Sequence, residues 1–355
     1  GAISNIPREQ PIRDNLNAIA GRSNRITQMR LITENLRGEV EQHVESLFGR
    51  TFFLDRPTAA RVAAWRRKSR DKAAKLSGFS YSAYGHLKLA TVIEDIAHTV
   101  RRAKSDPNAH NHPGLRDALW AEIRRIGLDN VGQKSGGPTK LAAEFFRQHD
   151  LGFRVRRLRF MARQLAEDLD RANLADSGAM EGMHDVIYDC LSLYLERETI
   201  DYLGDDFIVL AEQADIRPGA MLTALAKARD LTAADAIVDA RLAAALAMIP
   251  KAEKRSMLLA FLGFPFYDIA TLPLLQGEGL DEFDPIKVDR ISPEDARTIR
   301  KGGVAATLKG IEFNNFGAFF SRSYRENDYL WGRLHGADRM IDIMLSTLPI
   351  AKRPG

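Results

Sequence analysis

The chain has 355 residues, 45% apolar and 28% charged, with a net charge of +4 and one cysteine, Cys190. That length allows more than one packed unit, and the composition is ordinary for a folded protein. A lone cysteine excludes an internal disulfide and fits a reducing compartment. No stretch approaches the roughly 18 to 20 continuous apolar residues of a membrane span.

In chain order, Ile26 to Leu47 carries apolar residues at Met29, Ile32, Leu36, Val40, Val44 and Leu47. This three-and-four spacing predicts one buried helix face. The chain opens Gly-Ala rather than Met, with no signal-peptide pattern, which reads as a cloning remnant on a segment excised from a longer protein. A helix is expected from Pro57 through "DRPTAARVAAWRRKSRDKAAKL" and another over "YSAYGHLKLATVIEDIAHTVRRAK". Pro113, Pro138 and Pro218 mark three further helix starts. "FRVRRLRFMARQLAEDLDRAN" and "GMHDVIYDCLSLYLERETIDYL" have the length of an antiparallel pair, and so do "TAADAIVDARLAAALAMI" and "AEKRSMLLAFLG". After Gly263 the texture turns rich in proline and glycine, with strand-like runs at Ile286 to Ile291 and about Leu308 to Phe313.

The expected fold is therefore mainly α: a helical bundle or array with a small α/β C-terminal tail holding one or two short strands. The expected segments are 1–50, helical; 51–262, the helical region, basic in its first half; and 263–355, the tail, which ends in a long helix. Ser323 and Glu326 form S-x-x-E, predicting a capping box at the start of that last helix. Leu330, Leu334, Ala337 and Ile341 make its apolar stripe, and Gly332 and Gly336 predict close packing on one face.

Charge is unevenly spread. Thr51 to Arg163 holds 23 Lys+Arg and 10 Asp+Glu, a net of +13, and the remainder holds 28 and 37, a net of −9. Arginines interleave with aromatics in "WRRKSRDKAAK" and "RVRRLRF". The residues expected to meet an anionic surface are Arg66, Arg67, Lys68, Arg70, Arg154, Arg156, Arg157 and Arg159. Snorkelling side chains around a helix core explain the same pattern. No nucleic-acid motif such as a zinc finger or RNP pattern occurs, which counts against nucleic acid.

Catalytic signals are weak. No G-x-S-x-G nucleophile elbow is present, and "SGGP" at Ser135 to Pro138 reads as a loop and helix start. His110 and His112 lack further ligands at a recognisable spacing, and Cys190 reads as a small core residue. No cofactor is implied.

One stretch is more specific. The tail keeps Arg290, Ile291, Ser292, Pro293, Asp295 and Ala296, then Phe316 to Phe319. Its last helix keeps Arg325, Asn327, Asp328, Trp331, Gly332, Arg333, Leu334, Gly336 and Ala337. In this it resembles the region of unknown function that follows the catalytic domain in bacterial patatin-like proteins. The likeness covers about the last 95 residues, with weaker support over the first 45, and it implies that 1–50 is the helical exit from an N-terminal patatin-like domain that precedes this segment. The chain departs from the pattern at Tyr324, where tryptophan is expected, and at His335, where aspartate is expected. Patatin-like lipid acyl hydrolases use a Ser–Asp dyad in G-x-S-x-G and D-G-[GA], and this sequence holds neither motif.

The resemblance implies a non-catalytic accessory region that packs on the catalytic domain of its parent chain. Arg325, Asn327, Asp328, Trp331, Gly332, Arg333 and Gly336 would be its docking signature. A cytoplasmic location is expected, with peripheral contact at the inner membrane surface. The competing expectation is a free-standing helical module that binds a protein or nucleic-acid partner through its basic helices.

Overall fold

The computed structural model describes residues 2–104, 114–133, 135–171, 177–275, 291–296, 298–312 and 321–346. The chain divides into two units, Gly1–Asn24 with Pro285–Gly355, and Arg25–Asp284. Both are mainly helical, and no strand occurs among the described residues; one isolated antiparallel bridge joins Gly132 and Pro138.

The larger unit takes α1 (Ala2–Phe48) from Arg25 onward, then α2 (Ala59–Leu76), α3 (Ser80–Ala103), α4 (Gly114–Arg125), α5 (Lys140–His149) and α6 (Leu151–Arg171). It continues with α7 (Ser177–Leu195), α8 (Ile200–Leu203), α9 (Asp205–Glu212), α10 (Pro218–Arg229), α11 (Leu231–Met248) and α12 (Lys251–Thr271). Local sequence sets many of the starts. Thr58 caps α2 by accepting from the Arg61 amide (3.3 Å), and Thr139 caps α5 by accepting from Ala142 (3.2 Å). Pro218 occupies the first turn of α10, where its missing N–H costs nothing. Asp230, with φ of 35°, separates α10 from α11 and caps α11 through the Ala233 amide (3.2 Å).

Two apolar cores fill this unit. One gathers Met29, Val40 and Val44 of α1 with residues of α2, α6, α7, α11 and α12. The other joins α3, α4 and α5 with α8, α9 and α10. Helix α6 is buried nearly all round, through Leu151, Phe153, Val155, Leu158, Phe160, Met161 and Leu165. Such a helix belongs at the centre of a packed unit. It packs against α7 and α12, as the short join between α6 and α7 predicts. The other expected pair is different: α11 lies chiefly on α2 and α7, and α12 on α6 and α2.

The boundary expected after residue 262 falls inside α12, which is buried on both sides of it and carries Pro265 in its interior. The proline there signals a helix interior, not the end of a domain. Gly263 lets α12 approach α1, since a Cβ at that position would lie 2.8 Å from Val40 Cγ1. Within Lys251–Leu274 a window of 18 residues has a mean hydropathy of 1.6 and is long and apolar enough to cross a membrane, which the count of continuous apolar residues does not reveal. It is 72% buried inside the protein, as befits a core helix.

The smaller unit holds α13 (Gly303–Thr307) and α14 (Arg322–Ser346). The expected strand at Leu308 to Phe313 is a bend and turn over its described part, 308–312, because Asp328 grips two successive amides there. Asp328 accepts from Lys309 N (2.6 Å) and Gly310 N (2.7 Å). Of the other expected strand only Ile291 is described, and it is not in a strand. The residues Ser292 to Ala296 form a turn, with the Asp295 and Ala296 amides donating to the Ser292 carbonyl.

Candidate functional site

The polar residues of the larger unit converge on one place. A cavity of about 90 Å³ is lined by Arg66, Arg70, Tyr81, Tyr84, Lys88 and Asp150, together with Arg154, Arg157, Asp235 and several apolar side chains. Exposed Asp71 and Arg147 carry it to the surface.

Helix phase explains the convergence. Asp235 and Asp239 are one turn apart on α11 and face α2, where Arg66 meets both. Arg66 forks onto Asp239 (3.2 and 2.7 Å) and reaches Asp235 (3.2 Å). Arg154 of α6 forks onto Asp235 (2.7 and 3.0 Å), which also accepts from the Tyr194 hydroxyl (2.6 Å). Arg156 donates twice to Asp268 of α12 (3.1 and 2.8 Å), and Tyr84 donates to the same carboxylate (2.6 Å). Lys88 sits 2.6 Å from Asp150 and 4.2 Å from the Phe153 ring centre. Asp150 also caps α6 by accepting from the Phe153 amide (2.9 Å).

Burial and ion pairing oppose each other at Asp235 and Asp150. Burial alone would raise the Asp235 carboxyl, but Arg154, Arg66 and Arg157 hold it well below the usual carboxylate range. Burial would likewise raise Asp150, yet Lys88 and Arg156 keep it low. Burial and the neighbouring Asp268 push the Tyr84 phenol up, so it stays a hydrogen-bond donor.

Two arginines differ from the rest. Arg157 is 2% exposed and its Nε has no hydrogen-bond partner; the guanidinium lies over the rings of Phe261 (4.3 Å) and Phe153 (5.6 Å). Burial, with Arg66 adding repulsion, pushes its pKa down to about 10. Arg70 is also pushed down, first by burial and then by Arg66 and Arg154. Neither forms an ion pair with a described residue. The cluster sets Arg66, Arg70, Lys88, Arg154, Arg156 and Arg157 against Asp150, Asp235, Asp239 and Asp268, six cations against four carboxylates.

This corrects the expected basic surface. Arg154, Arg156 and Arg157 are interior, and Arg66 is largely covered by its aspartates. Arg70 and Arg159 are half-buried, and only Arg67 and Lys68 are exposed. Net charge along a segment cannot distinguish an arginine that faces water from one that faces an aspartate distant in sequence. The acids were the missed half, and their signal was an aspartate inside an otherwise apolar helix, as at Asp235, Asp239 and Asp268. Cys190 is a buried core residue, its thiol pushed up to about 11 by burial. His110, His112 and the Phe316 to Phe319 segment lie outside the described residues.

In the smaller unit, the motif residues of α14 bind their own tail. Asn327 donates to the Thr307 carbonyl (2.8 Å), beside the two amides held by Asp328. Trp331 faces His335 (5.2 Å between ring centres) and lies 5.9 Å from the Arg300 guanidinium. Arg333 is exposed and lies over Tyr329 (5.9 Å), and Arg325 is exposed too. The helix is capped by Ser321, which accepts from Tyr324 N (3.4 Å), while Glu326 pairs with Arg322 (2.8 Å); Ser323 falls inside the first turn. At Gly332 and Gly336 no described atom lies within 4 Å of an added Cβ. Of the expected stripe, Leu330, Ala337 and Ile341 are exposed, beside exposed Tyr329 and Met340.

Comparison with known proteins gives a family but no activity. A family model described as a protein of unknown function, DUF3376, matches residues 147–354. An uncharacterized membrane protein of Mycobacterium tuberculosis is 47% identical over 38 residues, which are 11% of this chain and 4% of that protein. That relative is therefore nearly three times as long as this chain, by the ratio of the two shares. No solved structure matches significantly.

Proposed function

The chain belongs to the DUF3376 family, and we propose that it is a non-catalytic helical accessory region of a longer patatin-like lipid acyl hydrolase. The observation that carries this reading is the exposed apolar face of α14. Leu330, Ala337 and Ile341 recur at spacings of seven and four on one face, flanked by Tyr329 and Met340. The face lies on the same helix as Asn327 and Asp328, whose bonds to residues 307–310 hold the tail in shape. Its occupant in this reading is the catalytic part of the parent chain. Supporting this, a relative carries a similar segment within a much longer protein, and the tail resembles the region that follows patatin domains.

The basic-module alternative is weaker, because only Arg67 and Lys68 of the eight basic residues are exposed. The test is to produce the upstream part of the parent separately and titrate it with this chain. Saturable binding is expected, with Leu330→Glu/Ile341→Glu weakening it at least tenfold while leaving the melting temperature unchanged. Incubated alone with short-chain acyl esters, this chain should give no turnover. Turnover blocked by a serine-directed phosphonate, or complex formation indifferent to both substitutions, would overturn the proposal.

A further inference from the structure

The cavity among α2, α3, α5, α6, α11 and α12 has too many donors for the acceptors around it. Each of Asp235, Asp239, Asp268 and Asp150 is already engaged by Arg66, Arg154, Arg156 or Lys88. Arg70 and Arg157 remain, both lining the cavity, and both without a carboxylate in contact among the described residues. Tyr81 lines the same cavity, 6% exposed, and its hydroxyl makes no hydrogen bond to a described residue. The Phe261 and Phe153 rings offset part of the Arg157 charge but do not neutralise it. A buried cation without a counter-charge, as Arg157 is here, is strongly disfavoured, and half-buried Arg70 in the same cavity adds to the repulsion.

We infer that this cavity is a binding site for a phosphate or phosphomonoester group, held by Arg70 and Arg157 with the Tyr81 hydroxyl. Three physical properties select that chemistry. The excess over the four carboxylates is two positive charges, which matches a dianion. Guanidinium forks pair with the edges of a tetrahedral oxyanion through two parallel hydrogen bonds, a geometry that chloride cannot use. At about 90 Å³ the cavity has room for such a group, being several times the ~10–15 Å³ that one water requires on the same measure. Asp71 and Arg147 mark the entrance. The same chemistry is offered by free inorganic phosphate and by the monoester headgroup of a phosphatidic acid. The inference is independent of the accessory role proposed above.

The experiment is calorimetric titration of the 355-residue chain with inorganic phosphate, at constant ionic strength in chloride. Saturable binding at one site is expected, with Arg157→Met and Arg70→Met each weakening it at least tenfold. Because Arg157→Met removes an unneutralised buried charge, its melting temperature in chloride should equal or exceed that of the parent. If a methionine variant does not fold, Tyr81→Phe serves instead and should weaken binding several-fold. Flotation with vesicles of phosphatidic acid in phosphatidylcholine separates the sources. Flotation that Arg157→Met abolishes assigns the lipid headgroup, whereas phosphate binding with no flotation assigns the free anion. Absence of both, or phosphate binding unchanged in every variant, would overturn the inference.

Discussion

Asp235→Asn is the sharpest test of how the larger unit is held together. The carboxylate accepts four hydrogen bonds: two from Arg154 (2.7 and 3.0 Å), one from Arg66 (3.2 Å) and one from Tyr194 (2.6 Å). Asparagine keeps the shape but turns one acceptor into a donor aimed at guanidinium donors. It also leaves Arg66 with Asp239 alone and buried Arg154 with no carboxylate in contact among the described residues. Removing one partner of a buried ion pair typically costs about 3–5 kcal/mol, against about 0–1 kcal/mol for an exposed pair. For a unit of this size each kcal/mol lowers the melting temperature by roughly 2–4 °C, so the variant should melt about 6–20 °C lower.

Differential scanning calorimetry reads that shift, and a cycle with Arg154→Gln isolates the pairwise share. The acid limb provides a second reading. Asp235 holds its proton less tightly when folded than when unfolded. Its stabilisation is therefore fully present above about pH 4 and lost as pH falls toward the depressed folded value. The variant should show a flatter stability–pH slope there. A loss below about 1 kcal/mol, with the slope unchanged, would refute the claim that these pairs are buried and coupled.

Other expected outcomes follow from single contacts. Gly263→Val should destabilise the larger unit by about 1–3 kcal/mol in urea unfolding, because its Cβ would meet Val40. Gly336→Ala should slow amide exchange in α14, gaining about 1 kcal/mol of helix propensity where no described neighbour stands within 4 Å. His149 is buried, which with Arg229 nearby pushes its pKa down to about 3. Its neutral form adds stability that is complete above about pH 6.5 and lost as pH falls toward 3, so its NMR signals should not titrate between pH 5 and 8. Tyr84→Phe should cost about 1.5–3 kcal/mol in urea unfolding, since the hydroxyl donates to a buried carboxylate.

Periodicity and proline positions made the helices legible, because they act through neighbours in sequence. Thr58, Thr139 and Pro218 sit where helices begin, and α6 and α7 pack as their short join implies. The site was half legible. Arg66, Arg154 and Arg157 stood out by charge, but whether such a residue faces water depends on Asp235 of α11, 81 residues from Arg154. Local reading also misjudged α14. S-x-x-E suggested Ser323, yet Ser321 closes the first turn, and the glycines that suggested tight packing have no described neighbour within 4 Å of an added Cβ. A glycine reports backbone freedom, and only the neighbours decide whether that freedom is used.

Asp150 does two jobs with one carboxylate, capping α6 at Phe153 and holding Lys88 of α3. It thereby sets the rotational phase of α6. One residue inserted between Asp150 and Arg154 would turn every following side chain by about 100°, moving Arg154 and Arg156 off Asp235 and Asp268 and putting Val155 in the place of Arg156. The length of that first turn is thus a tolerance limit for the whole unit. Substitutions there are survivable in principle, whereas a single-codon insertion or deletion should be among the least tolerated changes in the chain.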